Sequence, residues 1–262
     1  MNKILGIFIL GFIFSNYPIT VLNSNVLLSF PRSGNHYVRF LLEYLSGLPT
    51  MGCLGNTDKI DVYIALRPFK DKKLLAHVDL NASPIIYKEH IAEHLIGDKP
   101  LFEVKSLIIV VRAFQECIPS LFHLIEKEDQ KIKEKWLDWW LNIIRYYHDF
   151  KGEKLLIYYE DLIQKPTLIA KQLFDFFHMQ DNDRLAYFIN NSDEIINKTH
   201  EIDYNQYDGK MHIGCYLNTS GSNLNYYGLK LSKHVINDAQ SYIIAKTENT
   251  DLYGYIKRYL KN

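Results

Sequence analysis

Pro31-Arg32-Ser33-Gly34-Asn35-His36 is the stretch whose residue types and spacing point most directly to chemistry. It lies between an apolar, strand-like run, Val26 to Phe30, and an apolar, helix-like run that begins near Asn35. A strand reaching the carboxyl edge of a sheet, then a glycine turn and a helix start, aims consecutive N–H groups and a positive helix end at one point. Arg32 adds a full positive charge. Such a turn suits a phosphate-like anion; the plainer alternative is an ordinary strand-to-helix turn with an incidental glycine. The sequence has no G-x-x-x-x-G-K-[ST], so the lysine and the Mg²⁺-binding hydroxyl of a nucleotide kinase are missing from this turn.

The elements that must position the turn follow from the pattern of apolar runs. Val26 to Phe30, Pro84 to Lys88, Leu107 to Val111 and Lys154 to Tyr159 are short and apolar, as strands are. The unbroken Leu107-Ile108-Ile109-Val110-Val111 suits a parallel strand covered on both faces. Between them stand helical patterns: Asn35 to Ser46, stopped by Gly47 and Pro49; Glu134 to Asp149, with Trp136, Trp139, Trp140, Ile143, Ile144 and Tyr147 on one stripe; and Thr167 to Phe177. Alternation of this kind predicts an α/β fold of three layers, a mostly parallel central sheet flanked by helices. Beyond Asp181 the chain reads as helical to about Thr199, irregular over Glu201 to Gly228, and helical again from about Ser232 to Tyr259.

Composition narrows the partners. Thirty basic and thirty acidic residues among 262 leave no net field to draw nucleic acid or an anionic membrane, so an anion site must be local. Cys53, Cys117 and Cys215 are odd in number and have no C-x-x-C pair, which suits buried thiols better than a disulfide framework or a zinc site. No repeat or linker divides the chain, so residues 23–262 read as one domain behind an apolar segment, 1–22. Ile4 to Phe14, preceded by Lys3, suits a signal peptide or a weak membrane anchor, or else a segment packed on the core.

The turn at 31–36 resembles the 5′-phosphosulfate loop of sulfotransferases that use 3′-phosphoadenosine 5′-phosphosulfate (PAPS), a P-[KR]-S-G-[TS]-T-like turn after the first strand. The resemblance implies that Arg32, Ser33, Gly34, Asn35 and His36 contact the donor, with Arg32 reaching the transferring group. Asn35-His36 stands where hydroxyl residues are common in the family. Leu107 to Val111 ending in Arg112, with Ser120 eight positions on, resembles the 3′-phosphate segment of the same family. An arginine at a strand's carboxyl end can offer a bidentate fork to phosphate, although it can equally cap the strand and pair with a carboxylate. Lys154 to Leu162, with Tyr159-Glu160-Asp161 and then Pro166, resembles the family's strand ending in Y-E-D; there the tyrosine lies near the adenosine, which nominates Tyr159. Glu160 and Asp161 read as helix-opening acids.

Sulfuryl transfer needs a group that removes the acceptor's proton and positive charge where the leaving phosphate gains its own. Ile85-Ile86-Tyr87-Lys88-Glu89-His90 resembles the family's K-T-H element, which makes His90 the general base and Lys88 a charge stabiliser, with Arg32 as the second cation. Alternation along an extended strand puts Lys88 and His90 on one side. An ordinary histidine pKa near 6.5 suits the task. His77, His94, Glu89 and Glu103 are the reserve candidates, and no metal is required. The family's basic C-terminal loop corresponds here to Leu217 to Tyr227, which has Gly221, Ser220 and Ser222 but no Arg or Lys before Lys230; Ser220 and Gly221 are the nominated 3′-phosphate contacts, with Lys210 or Lys230 as compensation.

The reading that follows is a PAPS-dependent sulfotransferase acting on a hydroxyl or amine of a small-molecule, lipid or glycan acceptor. A PAPS- or adenosine 3′,5′-bisphosphate (PAP)-binding module without turnover is the alternative, and a P-loop-like nucleotide kinase a more distant one. The usual supply of PAPS favours a cytoplasmic catalytic domain, while the N-terminal run suits a membrane or secretory route. Asn81, Asn190, Asn197 and Asn218 open N-x-[ST] triplets that matter only in a glycosylating pathway.

Overall fold

A computed structural model describes residues 23–51, 78–79, 82–95, 103–124, 132–200 and 231–260. The apolar runs form strands β1 (Asn23–Ser29), β3 (Ile86–Glu89), β4 (Glu103–Val111) and β5 (Glu153–Tyr158), joined at one edge by a two-residue strand, β2 (Thr50–Met51). The order across the sheet is β2-β3-β1-β4-β5, and each neighbouring pair is parallel. Parallel pairing puts the carboxyl ends of all five strands on one edge. β1 lies where the chain turns to build outward in both directions, the place at which open α/β sheets hold ligands.

The helices are α1 (Asn35–Ser46), α2 (Phe114–Leu124), α3 (Glu134–Asp149), α4 (Tyr159–Gln164), α5 (Pro166–Phe176), α6 (Asn182–His200), α7 (Lys233–Thr247) and α8 (Tyr253–Ile256). Short 3₁₀ turns cover Ala92–Leu95 and Lys257–Tyr259. Alternate residues of β1 and β4 serve two cores. Val26, Leu28, Leu107, Ile109 and Val111 pack with α2, α3, α7 and the C-terminal segment, while Leu27, Ile108 and Val110 pack with α1, α5 and α6. The expected three layers are therefore present, and the continuous apolar run of β4 is explained by burial on both faces.

Two expectations are corrected, and one strand is added. Tyr159 is the first residue of α4 rather than the last of β5, because Tyr158 keeps an extended backbone and Glu160 and Asp161 then occupy the first helical turn, where acids suit the dipole. The segment from Ser232 is not one helix: α7 starts with the Ser232 hydroxyl accepting from the Val235 N–H and ends at Thr247, and Thr250 folds back onto the Thr247 carbonyl through both N–H and hydroxyl. Asn249, Thr250 and Asp251 favour such local turns over helix. Strand β2 has no signature in sequence because it is held from outside. Arg39 of α1, 1% exposed, donates from Nε to Thr50 Oγ1 at 2.6 Å, and the Thr50 hydroxyl donates to the fully buried Glu43 carboxylate.

Cys117 is a buried free thiol, as its residue type suggests. Cys53, Cys215 and the segment 1–22 lie outside the described residues. Among the described residues no helix is long and apolar enough to cross a membrane.

Candidate functional site

The turn after β1 is built from two left-handed residues, Arg32 at φ 68° and Gly34 at φ 91°. The Ser33 N–H donates to the Phe30 carbonyl at 3.2 Å, closing the turn, and Gly34 serves as the N-cap of α1 with no side chain capping the helix. The Tyr37 and Val38 N–H groups donate to the Gly34 carbonyl at 3.0 and 3.3 Å, and the positive end of α1 faces the turn. Glycine is required at position 34 twice over. Its positive φ strains any residue with a Cβ, and a Cβ there would come within 2.5 Å of Tyr159 Cδ2.

Arg112 leaves the end of β4 and meets this turn. Its Nη1 donates to the Arg32 carbonyl at 2.9 Å, its Nε to Glu116 Oε2 at 3.0 Å, and its Cζ lies 4.3 Å from the centre of the Tyr159 ring. Burial works against the guanidinium's charge, but Tyr159 and Glu116 outweigh it and hold Arg112 charged. Arg32 in turn donates from Nε to Ser120 Oγ at 2.9 Å. The segments nominated for the two ends of one nucleotide are therefore in contact.

His90 follows β3. Its Nδ1 is 2.6 Å from the Ser29 carbonyl, which can only accept, so Nδ1 carries the proton and Nε2 the lone pair. The Trp139 indole donates to the His90 carbonyl at 2.7 Å, and Glu89 Oε1 accepts from the N–H groups of His90 and Ile91 at 2.6 and 3.1 Å. Glu89 is thereby committed to the chain's turn at His90. Glu103 is at the opposite end of β4 from Arg112, roughly 30 Å along the strand at about 3.3 Å per residue, which removes it as a reserve base. His77 and the side chain of His94 lie outside the described residues, as do Ser220, Gly221, Ser222, Lys210 and Lys230.

The expectation of an ordinary histidine pKa is corrected. Burial, then the Lys88 ammonium, pull His90 down to about 3, against a smaller upward push from its bond to the Ser29 carbonyl. His36 is also held well below the usual value, first by burial and then by Lys88, Arg39, His90 and Arg32. Lys88, Arg39 and Arg32 thus lie close enough to the two imidazoles to make the field at the turn positive. The Ser33 hydroxyl, buried against the Cys117 thiol, and Asn35 Oδ1 make no hydrogen bond of ordinary geometry among the described residues. Buried polar atoms of this kind, at a helix start with room only for glycine, fit a phosphate-bearing ligand.

Of the nominated residues, Arg32, Ser33, Gly34, Asn35, His36, Lys88, His90, Arg112, Ser120 and Tyr159 all gather at the carboxyl edge of the sheet. Sequence reasoning missed Ser29, Trp139, Trp140, Glu116 and Tyr259. Glu116 was detectable, four residues beyond Arg112 on a helix. The others act across 28 residues or more in the case of Trp140, whose Nε1 donates to the Arg112 carbonyl, and 61 in the case of Ser29.

The fold defines a three-layer α/β class with a glycine turn at the carboxyl edge. No protein-family model matches the chain, and no curated protein matches it. Among solved structures it is similar to mouse sulfotransferase SULT7A1 complexed with PAP, at 15% identity over 91% of this chain and 90% of that one, with a TM-score of 0.56. At that identity the likeness is one of fold.

Proposed function

We propose that this protein is a PAPS-dependent sulfotransferase acting on a hydroxyl or amine acceptor. The observation that carries the reading is the convergence of Arg32, His36, Lys88, His90 and Arg112 on a glycine turn at the carboxyl edge of a sulfotransferase-like sheet. The residues of the turn, Arg32 to His36, would hold the 5′-phosphosulfate, Arg112 and Ser120 the 3′-phosphate, and Tyr159 the adenosine side. When bound, PAPS supplies a sulfuryl group on a good leaving phosphate.

The chain's own residues do the remainder. His90 Nε2 takes the proton from the acceptor, and its Nδ1–H bond to the Ser29 carbonyl stabilises the imidazolium formed. Lys88 and Arg32 place positive charge where negative charge develops. A donor's negative charge beside Lys88 would offset only the smaller of the two effects that hold His90 down, since burial, the larger, stays. One observation favours the second reading, a PAPS- or PAP-binding module without turnover: the low proton affinity of His90.

Transfer of labelled sulfate from PAPS to a panel of phenols, alcohols, glycans and amines separates the two. Wild type labels an acceptor and releases PAP, and Arg32→Ala does neither. PAP binding with no acceptor labelled between about pH 5.5 and 9, a range that spans histidine titration, leaves the binding module as the answer.

A further inference from the structure

The C-terminal turn of the chain reaches the arginine end of the site from behind. Tyr259, 5% exposed, places its hydroxyl 2.6 Å from Glu160 Oε2 and 3.1 Å from the Val111 carbonyl. The other oxygen of Glu160 accepts from the Ala113 N–H at 3.4 Å, and Trp140 Nε1 donates to the Arg112 carbonyl at 3.0 Å. Backbone groups on both sides of Arg112 are therefore tied down, and the residue after Tyr159 is tied to the same point. Neighbouring contacts reinforce the grip. Arg258 holds Asp161 with both Nη atoms, at 2.9 and 3.4 Å, and the Tyr158 hydroxyl donates to the Tyr255 carbonyl at 3.0 Å.

We propose that Tyr259, acting through Glu160, is a positioning residue that sets the aim of Arg112 and of the Tyr159 ring stacked under it. The inference rests on the reading of Arg112 as a 3′-phosphate contact. Its physical basis is that a bidentate arginine loses much of its worth when its backbone can shift, because both N–H groups must point at the anion together. Tyr259 and Glu160 touch no part of the ligand in this scheme. Their effect is confined to the end of the nucleotide that Arg112 serves.

That confinement is the test. Affinities for adenosine 3′,5′-bisphosphate and adenosine 5′-monophosphate are measured by calorimetry on wild type, Tyr259→Phe and Glu160→Gln, each checked for folding by its melting temperature. Wild type prefers the bisphosphate. Both variants are expected to bind the bisphosphate about five- to tenfold more weakly, the scale of one ordinary hydrogen bond, while their monophosphate affinity stays within about twofold, so the preference collapses. If Tyr259→Phe does not fold, Glu160→Gln decides. A general loosening lowers the melting temperature or weakens both nucleotides alike, and an unchanged ratio of the two affinities overturns the inference. A wild type without preference between the nucleotides instead overturns the reading of Arg112, and this inference with it.

Discussion

Arg32 Nε donates to Ser120 Oγ at 2.9 Å, which joins the glycine turn after β1 to helix α2 across 88 residues of sequence. A long, charged side chain that leaves a left-handed backbone is thereby held in one direction. Ser120→Ala is expected to free Arg32 and to raise the apparent KM for PAPS roughly fivefold, about 1 kcal/mol for one hydrogen bond. Unchanged KM and kcat would show that Ser120 does not orient Arg32.

Arg112 spends Nη1 on the Arg32 carbonyl and Nε on Glu116 while stacking on Tyr159. Arg112→Ala should weaken PAP binding by about 1.5–3 kcal/mol, the worth of a charged hydrogen bond, as read by calorimetry. Arg112→Lys keeps the charge and loses the fork and the stack, so its affinity should stay close to that of the alanine variant.

His90 is fixed by the Ser29 carbonyl, the Trp139 indole and Glu89. His90→Ala should lower kcat by about 10²-fold or more, the usual share of a general base, with PAP affinity nearly intact. Normal turnover in that variant would remove His90 from the proton's path.

The two half-buried histidines carry a pH signature. Their pKa values in the folded protein lie below the unfolded value near 6.5, His90 at about 3 and His36 well below the usual. The unfolded chain therefore binds more protons between about pH 6.5 and 3, so stability is fully present above that window and falls as the pH drops through it. The slope is at most about 1.4 kcal/mol per pH unit for each histidine. Urea titrations of wild type against His90→Gln across this range should show a shallower acid loss in the variant, and parallel curves would contradict a neutral imidazole at position 90.

Gly34 combines φ 91° with a ring edge where a Cβ would stand. Gly34→Ala is expected to cost on the order of 1–3 kcal/mol of stability from backbone strain alone, measured by denaturant, with further loss as Tyr159 is pushed from Arg112. Stability equal to wild type would mean that the turn relaxes into another shape.

Much of the scaffold was legible before any coordinates. The bounds of α1 and α3 follow from Gly34, Gly47 and the tryptophan stripe, and the unbroken apolar run of β4 announced a strand covered on both faces. Strand β2 was not legible, because two residues hold no periodicity and their place is set by Arg39 and Glu43 from α1. The break after Thr247 was missed because a helical pattern of apolar residues continues past a turn that Thr250 makes locally. Glu89 shows the same limit at the site: its pattern marks it as facing away from Lys88, and only the fold shows it fastening the N–H groups after the strand.

By itself the sequence determined which elements form and what stands at each strand's carboxyl end, because local propensity and apolar period need only near neighbours. Tertiary structure alone decided that those ends share one edge, since parallel pairing brings together Arg32, His90, Arg112 and Tyr159 from four separate segments. It also lowered the proton affinity of His36 and His90. Proton affinity answers to burial and to the charges nearby in space, and neither is written in the order of the residues.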